Sequence, residues 1–177
     1  MPEPIAYILK FILQTVAIFL VIRFVLQAVQ ADPNNQIVAS VIRLTNPLLQ
    51  PIRSIVRPYK NIDFASFLLA WLTLTLMVIL ITVGQAAIFS SFSFGLYLTL
   101  DYVVWVFLFA IFATIILSFI APGTYSPFAS AAYQIAEPAL APARKLLPPM
   151  AGLDFSPMIT VMALYLFKNY VLTTLIN

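Results

Sequence analysis

The side chains able to do chemistry are few. The chain carries nine Lys or Arg and six Asp or Glu, with no His and no Cys. Without thiolates or imidazoles it has no disulfides, no Cys/His metal sites, no His-dependent nucleophile–base pairs and no His-ligated haem. Glu3, Asp32, Asp63, Asp101, Glu137 and Asp154 are scattered, most of them near expected helix ends. No two form the paired carboxylates of acid–base work. Four Gly do not make a phosphate-cradling loop. Met150, Met158 and Met162, lacking His or Cys company, read as packing residues. A net charge of +3, with no basic run interleaved with aromatics, gives no nucleic-acid surface. The expectation is a protein that is not an enzyme and holds no metal or cofactor.

What positions these side chains is hydrocarbon. Only 8% of the residues are charged, against about 25% in a soluble domain, so the lipid bilayer is the natural solvent and first partner. A span of the apolar core takes roughly 20 residues. Four stretches qualify, at about 5–29, 64–89, 96–121 and 157–176. Backbone groups in lipid must pair internally, so these are helices. The link at 84–95 is short and uncharged, whereas 30–63 and 122–156 are long, rich in Pro, and carry six of the nine basic residues. The positive-inside rule puts both long connections in the cytoplasm and both termini outside. The first stretch also resembles a signal peptide, with Lys10 before an apolar run and Val29-Gln30-Ala31 as a small-residue site. Arg23 interrupts that pattern and an equivalent span precedes the second half, so an uncleaved helix is expected.

A constant offset of 91 residues aligns NPLLQPIRSIVRPYKNIDF with EPALAPARKLLPPMAGLDF. It brings Pro47, Pro51, Arg53, Pro58 and Asp63 onto Pro138, Pro142, Arg144, Pro149 and Asp154. The expected fold is therefore an all-α membrane protein. Its four transmembrane helices form two tandem parallel hairpin repeats, 1–90 and 91–177, related by a pseudo-twofold along the membrane normal. Each loop carries an amphipathic interfacial segment. Ile37, Val38, Val41, Ile42 and Leu44 recur at helical spacing. Asn46-Pro47 then reads as a fresh helix start, Pro51 as a kink and Pro58 as a stop. Glu137-Pro138, Pro142 and Pro148-Pro149 repeat the design.

The first-span RFVLQAVQAD, the loop pattern NP-x3-P-x-R and the D-F before the following span resemble the YggT family of small bacterial and plastid membrane proteins. The likeness covers nearly the whole chain. It implies hallmark positions at Arg23, Pro47, Pro51, Arg53 and Asp63, then at Pro138, Pro142, Arg144 and Asp154. Thr114 stands where the second copy would carry the first-span Arg. The resemblance also implies a multi-pass protein of the bacterial inner membrane and a connection with osmotic tolerance and ion balance. Plastid relatives are connected with haem attachment and nucleoid distribution.

Each hallmark has a structural and a functional reading. Arg23 inside its span must snorkel or pair, and Asp63 is the obvious partner; the pair fixes the hairpin or marks a ligand or ion site. Asp63 and Asp154 also fit helix N-caps. Lys10 and Asp101 align under the offset and could pair within the membrane, with Lys168 nearby. Arg53 and Arg144 face lipid headgroups or a protein partner. Together these readings give a non-enzymatic inner-membrane protein that scaffolds other membrane components, with a membrane-protein partner or a homo-oligomer. The alternative is a small ion-permeation protein with Thr73, Thr75 and Thr82 along a polar path.

Overall fold

The computed structural model describes residues 3–53, 56, 63–82, 87–120, 126–147 and 154–175. Among these the chain is entirely helical, as α1 (Glu3–Ala28), α2 (Gln36–Arg53), α3 (Phe64–Ile81), α4 (Ile88–Ile120), α5 (Pro127–Leu146) and α6 (Ser156–Leu166). Three helices are long and apolar enough to cross a membrane: Pro4–Ala28, Phe64–Ile81 and Ile88–Ile120. They are apolar all round. α1 buries Ala17, Leu20, Val21 and Val25 and turns Ile8, Phe11, Ile12 and Phe19 outward, the pattern of a helix with protein on one side and lipid on the other.

The fourth expected span differs from the rest. Helical conformation runs from Ser156 to Leu175, but only Ser156–Leu166 is α-helix; a π-helical turn (Phe167–Val171) and a 3-10 turn (Leu172–Leu175) complete it. The expected link at 84–95 is also corrected, because α4 begins at Ile88 and is 33 residues long. Ser91, Gly95 and Thr99 place small side chains at every fourth position of that segment, and Ser91 and Thr99 are buried. This stripe lets α3 approach closely. A Cβ on Gly95 would run into Thr75 Oγ1 and lie 2.9 Å from Thr75 Cα. Trp71 Nε1 donates to the Phe92 carbonyl at 2.9 Å across the same pair of helices.

α1 stops in a Schellman turn. Ala31 N–H donates to the Leu26 carbonyl at 2.8 Å and Gln30 N–H to that of Gln27 at 3.0 Å, with Gln30 at φ 57°. Asn35 then caps α2, accepting from Ile37 N–H at 2.8 Å. The reading of a fresh helix at Asn46-Pro47, and its counterpart at Glu137-Pro138, is corrected: α2 and α5 each run unbroken through two prolines. A helix-interior Pro leaves the carbonyl four residues earlier without its N–H. Pro47 and Pro51 lie on the exposed side of α2, as does Arg43. The opposite face buries Val38, Val41, Thr45 and Leu49, which holds the turns together. Pro58, Pro148 and Pro149 lie outside the described residues.

One main buried cluster joins α1 to α5, with two smaller ones beside it. Leu20, Val21, Val25 and Leu26 of α1 pack with Val38, Val41 and Leu49 of α2, Ala110 and Ile111 of α4, and Ile135 and Leu140 of α5. The turn after α1 is tied to α5 as well: Asp32 N–H donates to Gln134 Oε1 at 2.6 Å, and Asn35 Nδ2 to the Pro127 carbonyl at 2.8 Å.

Candidate functional site

Arg23 is the largest fully buried side chain, at 1% exposure. A guanidinium cannot rest there uncompensated. Its Nη1 donates to Thr45 Oγ1 at 2.7 Å and to the Ile42 carbonyl at 2.9 Å, and its Nε to Asp63 Oδ2 at 3.3 Å. Three helices meet in these bonds: α1 brings Arg23, α2 brings Thr45, and Asp63 precedes α3. The same Asp63 oxygen also pairs with Arg53 Nη2. Asp63 itself is fully buried, while about a third of the Arg53 side chain is exposed. The sequence-expected pair is thus part of a larger cluster, two guanidinia on one carboxylate.

The N-cap expectation for Asp63 is corrected. It occupies the cap position of α3, but its side chain makes no capping hydrogen bond. Its main-chain carbonyl instead accepts from Ser66 N–H at 3.1 Å. Both arginines take the same carboxylate oxygen, Oδ2, and draw the side chain away from the helix N–H groups.

Arg144 and Asp154, related to Arg53 and Asp63 by the 91-residue offset, form the matching pair of the second stretch. Arg144 Nε donates to Asp154 Oδ2 at 3.0 Å. Its Nη1 donates to both oxygens of Glu137, at 2.8 and 2.6 Å. The N-cap expectation for Asp154 is corrected as well: the cap position of α6 is Phe155, and Asp154, one residue before it, accepts from Ser156 N–H at 2.9 Å in a local turn. Partial desolvation pushes its carboxyl up, but the Ser156 and Arg144 hydrogen bonds outweigh this and hold it below the usual carboxylate range. For Arg144 the desolvation that favours the neutral form is outweighed by Glu137 and Asp154, so its guanidinium is held above the ordinary value. The charge balance is reversed between the clusters: two bases and one acid in the first, one base and two acids in the second. The first is buried, whereas the second is open to the surface.

At the position aligned with Arg23, Thr114 donates only within its own helix, to the Ile111 carbonyl at 2.7 Å. Pro47, Pro51, Pro138 and Pro142 are all exposed.

The expected Lys10–Asp101 pair is corrected. Asp101 is buried and takes Lys168 Nζ at 3.0 Å. The ammonium sits 4.5 Å from the centroid of Trp105, within cation–π reach. Lys10 is exposed on α1, in a small gap shared with Leu13, Met77 and Ile81. The offset explains why: Lys168 aligns with Met77, and Asp101 with Lys10. The aligned positions thus pair within each stretch, and only the second stretch puts opposite charges there.

Thr45, Glu137 and Trp105 were missed as site residues. Thr45 lies on the buried stripe of α2 that a 3.6-residue period traces, and Glu137 aligns with Asn46. Among the described residues no three His, Cys, Asp or Glu gather as a metal site. What these arrangements do is tie neighbouring helices together through paired charge.

The family model described as CCB3/YggT matches the chain twice, over residues 2–84 and 93–175. An uncharacterized protein of Pseudomonas aeruginosa is 37% identical over 180 residues, 96% of this chain and 88% of that protein. An uncharacterized protein of Haemophilus influenzae is 29% identical, covering 90% of this chain and 86% of its own length. The uncharacterized protein YggT of Escherichia coli K12 is 28% identical, covering 93% of this chain and 87% of its own length. No solved structure matches the chain. With both matches together spanning nearly every residue, the chain belongs to the CCB3/YggT family.

Proposed function

We propose that the chain is a non-enzymatic scaffold of the bacterial inner membrane, assisting other membrane components through its two loop helices. Residues 156–175 form its fourth span, the two tandem repeats lie parallel, the basic loops face the cytoplasm and the termini lie outside. The observation that carries the reading is the surface of α2. Beside its buried stripe this helix exposes Ile37, Leu44 at 64% and Leu48, next to the polar Ser40, Arg43 and Gln50. A helix with bundle on one side, apolar residues on the next and charge on the third lies in the membrane interface. There it offers a surface to a neighbouring membrane protein or a second copy.

The threonines of α3 support this over ion permeation. Thr73 donates to the Leu69 carbonyl at 2.7 Å and Thr82 to that of Val78 at 2.9 Å, while Thr75 is buried against Gly95. The Thr73 and Thr82 hydroxyls are spent inside their own helix, Thr75 is closed off in the contact with α4, and Arg23 is sealed in its cluster. Purified protein in liposomes under a potassium or sodium gradient tests the point. We expect no flux above empty vesicles. Photo-crosslinkers at Leu44 and Leu48 in living cells are expected to give discrete protein adducts. Flux abolished by Arg23→Gln, or crosslinks to lipid alone, would overturn the scaffold reading.

A further inference from the structure

We propose that the Arg53 cluster binds the phosphate of one anionic phospholipid headgroup. Two arginines face a single acid here, so the cluster keeps an excess positive charge around a fully buried Asp63. Arg53 spends Nη2 on Asp63, yet its Nε is buried without a hydrogen-bond partner. Asp63 Oδ1 and Asn46 Oδ1 are buried and unpartnered as well. Buried polar atoms are normally satisfied, so Arg53 Nε and Asp63 Oδ1 in this cluster, with Asn46 seven residues before Arg53 on α2 as Glu137 is before Arg144, mark a place that a polar molecule completes.

The aligned cluster shows which molecule. Arg144, the counterpart of Arg53, has its Nε on Asp154 and its Nη1 on both oxygens of Glu137. Glu137 aligns with Asn46. Where the second stretch supplies its own two-oxygen anion, the first carries a neutral amide and a guanidinium edge left unspent. A phosphate presents the same pair of charged oxygens, and Arg binds it in the same forked way. Asn46 stands on α2 where Glu137 stands on α5, and its amide Nδ2 is the donor it would offer a bound phosphate. Asp63 Oδ1 is then free to accept from a headgroup hydroxyl.

A lipid fits better than a free ion. Leu44 and Leu48 are exposed on the helix that ends at Arg53, so acyl chains run beside the helix that carries the guanidinium. Phosphates of the membrane interface are the nearest anions to such a position.

The test uses the full chain in detergent, followed by native mass spectrometry with phosphatidylglycerol, phosphatidylcholine or inorganic phosphate. One phosphatidylglycerol is expected to stay bound, with about tenfold higher apparent affinity than phosphatidylcholine, a difference near 1.4 kcal/mol. Millimolar inorganic phosphate is expected not to displace it. Arg53→Gln is expected to lower phosphatidylglycerol to the phosphatidylcholine level. Asn46→Glu supplies the missing carboxylate from the chain itself and is expected to cause the same loss, with helix content and thermal midpoint retained. Equal retention of the two lipids, or full phosphatidylglycerol binding by a folded Asn46→Glu protein, would overturn the proposal. Displacement by inorganic phosphate would overturn the lipid as occupant.

Discussion

Single residues in this chain gain their weight from burial. Asp63 serves two guanidinia, so its loss strands more charge than the loss of either arginine. Breaking a buried pair by removing one partner costs about 3–5 kcal/mol, because the other charge stays behind. Asp63→Asn is therefore expected to destabilise by about that much. Arg53→Gln, at a partly exposed position, should cost about 1 kcal/mol. Thermal unfolding in detergent separates the two, and equal effects would count against the shared-carboxylate geometry. The second cluster responds to pH instead. The Asp154 carboxyl lies below its unfolded value, so its contribution is present above the ordinary carboxylate range and is lost as the pH falls through the lowered one. A Tm measured against pH should fall at that acid edge, and Asp154→Asn should flatten the fall. At this scale the sequence was half legible. Arg23 with Asp63, and the duplicated Arg–Asp spacing, follow from types and offset. The partner of Asp101 was misjudged, because an offset aligns positions without stating whether they face each other or face a third element.

Helices carry the next layer, and two of their positions invite direct measurement. Gln30 holds φ 57° at the end of α1, a conformation that costs a non-Gly residue about 1 kcal/mol. Gln30→Gly should raise stability by roughly that amount, read as a higher thermal midpoint. Gly95 has no room for a methyl group against Thr75, so Gly95→Ala should force α3 and α4 apart and lower stability by about 1–3 kcal/mol. No loss there would mean that the crossing is looser than described. Apolar length made α1, α3 and α4 readable, whereas proline chemistry alone breaks α2 in two at Asn46 where the helix runs through. Tertiary burial of Val38, Val41, Thr45 and Leu49 outweighs two missing backbone hydrogen bonds, and no local rule reports that. The π-helical turn at Phe167–Val171 was equally hidden. It occurs where Lys168 meets Asp101 on α4, and local sequence does not encode that contact.

The whole molecule combines one main core and two smaller apolar clusters with two charge clusters of opposite balance. Because α1, α2, α4 and α5 share that core, the two halves should recognise each other without a covalent link. Residues 1–84 and 85–177, made as separate chains in one cell, are expected to co-purify, and Asn35→Ala should reduce the yield of the pair. Independent migration of the halves would show that packing alone does not join them. The tie between the turn after α1 and α5 also sets a clock. Arg23 meets Thr45 and Asp63 as soon as the chain has been made as far as α3. Asn35 and Asp32 must wait for Pro127 and Gln134, 92 and 102 residues further on. At ribosomal speeds of about 5–20 residues per second, that leaves the turn unfastened for roughly 5–20 s in every round of synthesis. During this interval the nascent first half is an inserted but unlatched hairpin, accessible to whatever insertion machinery attends it.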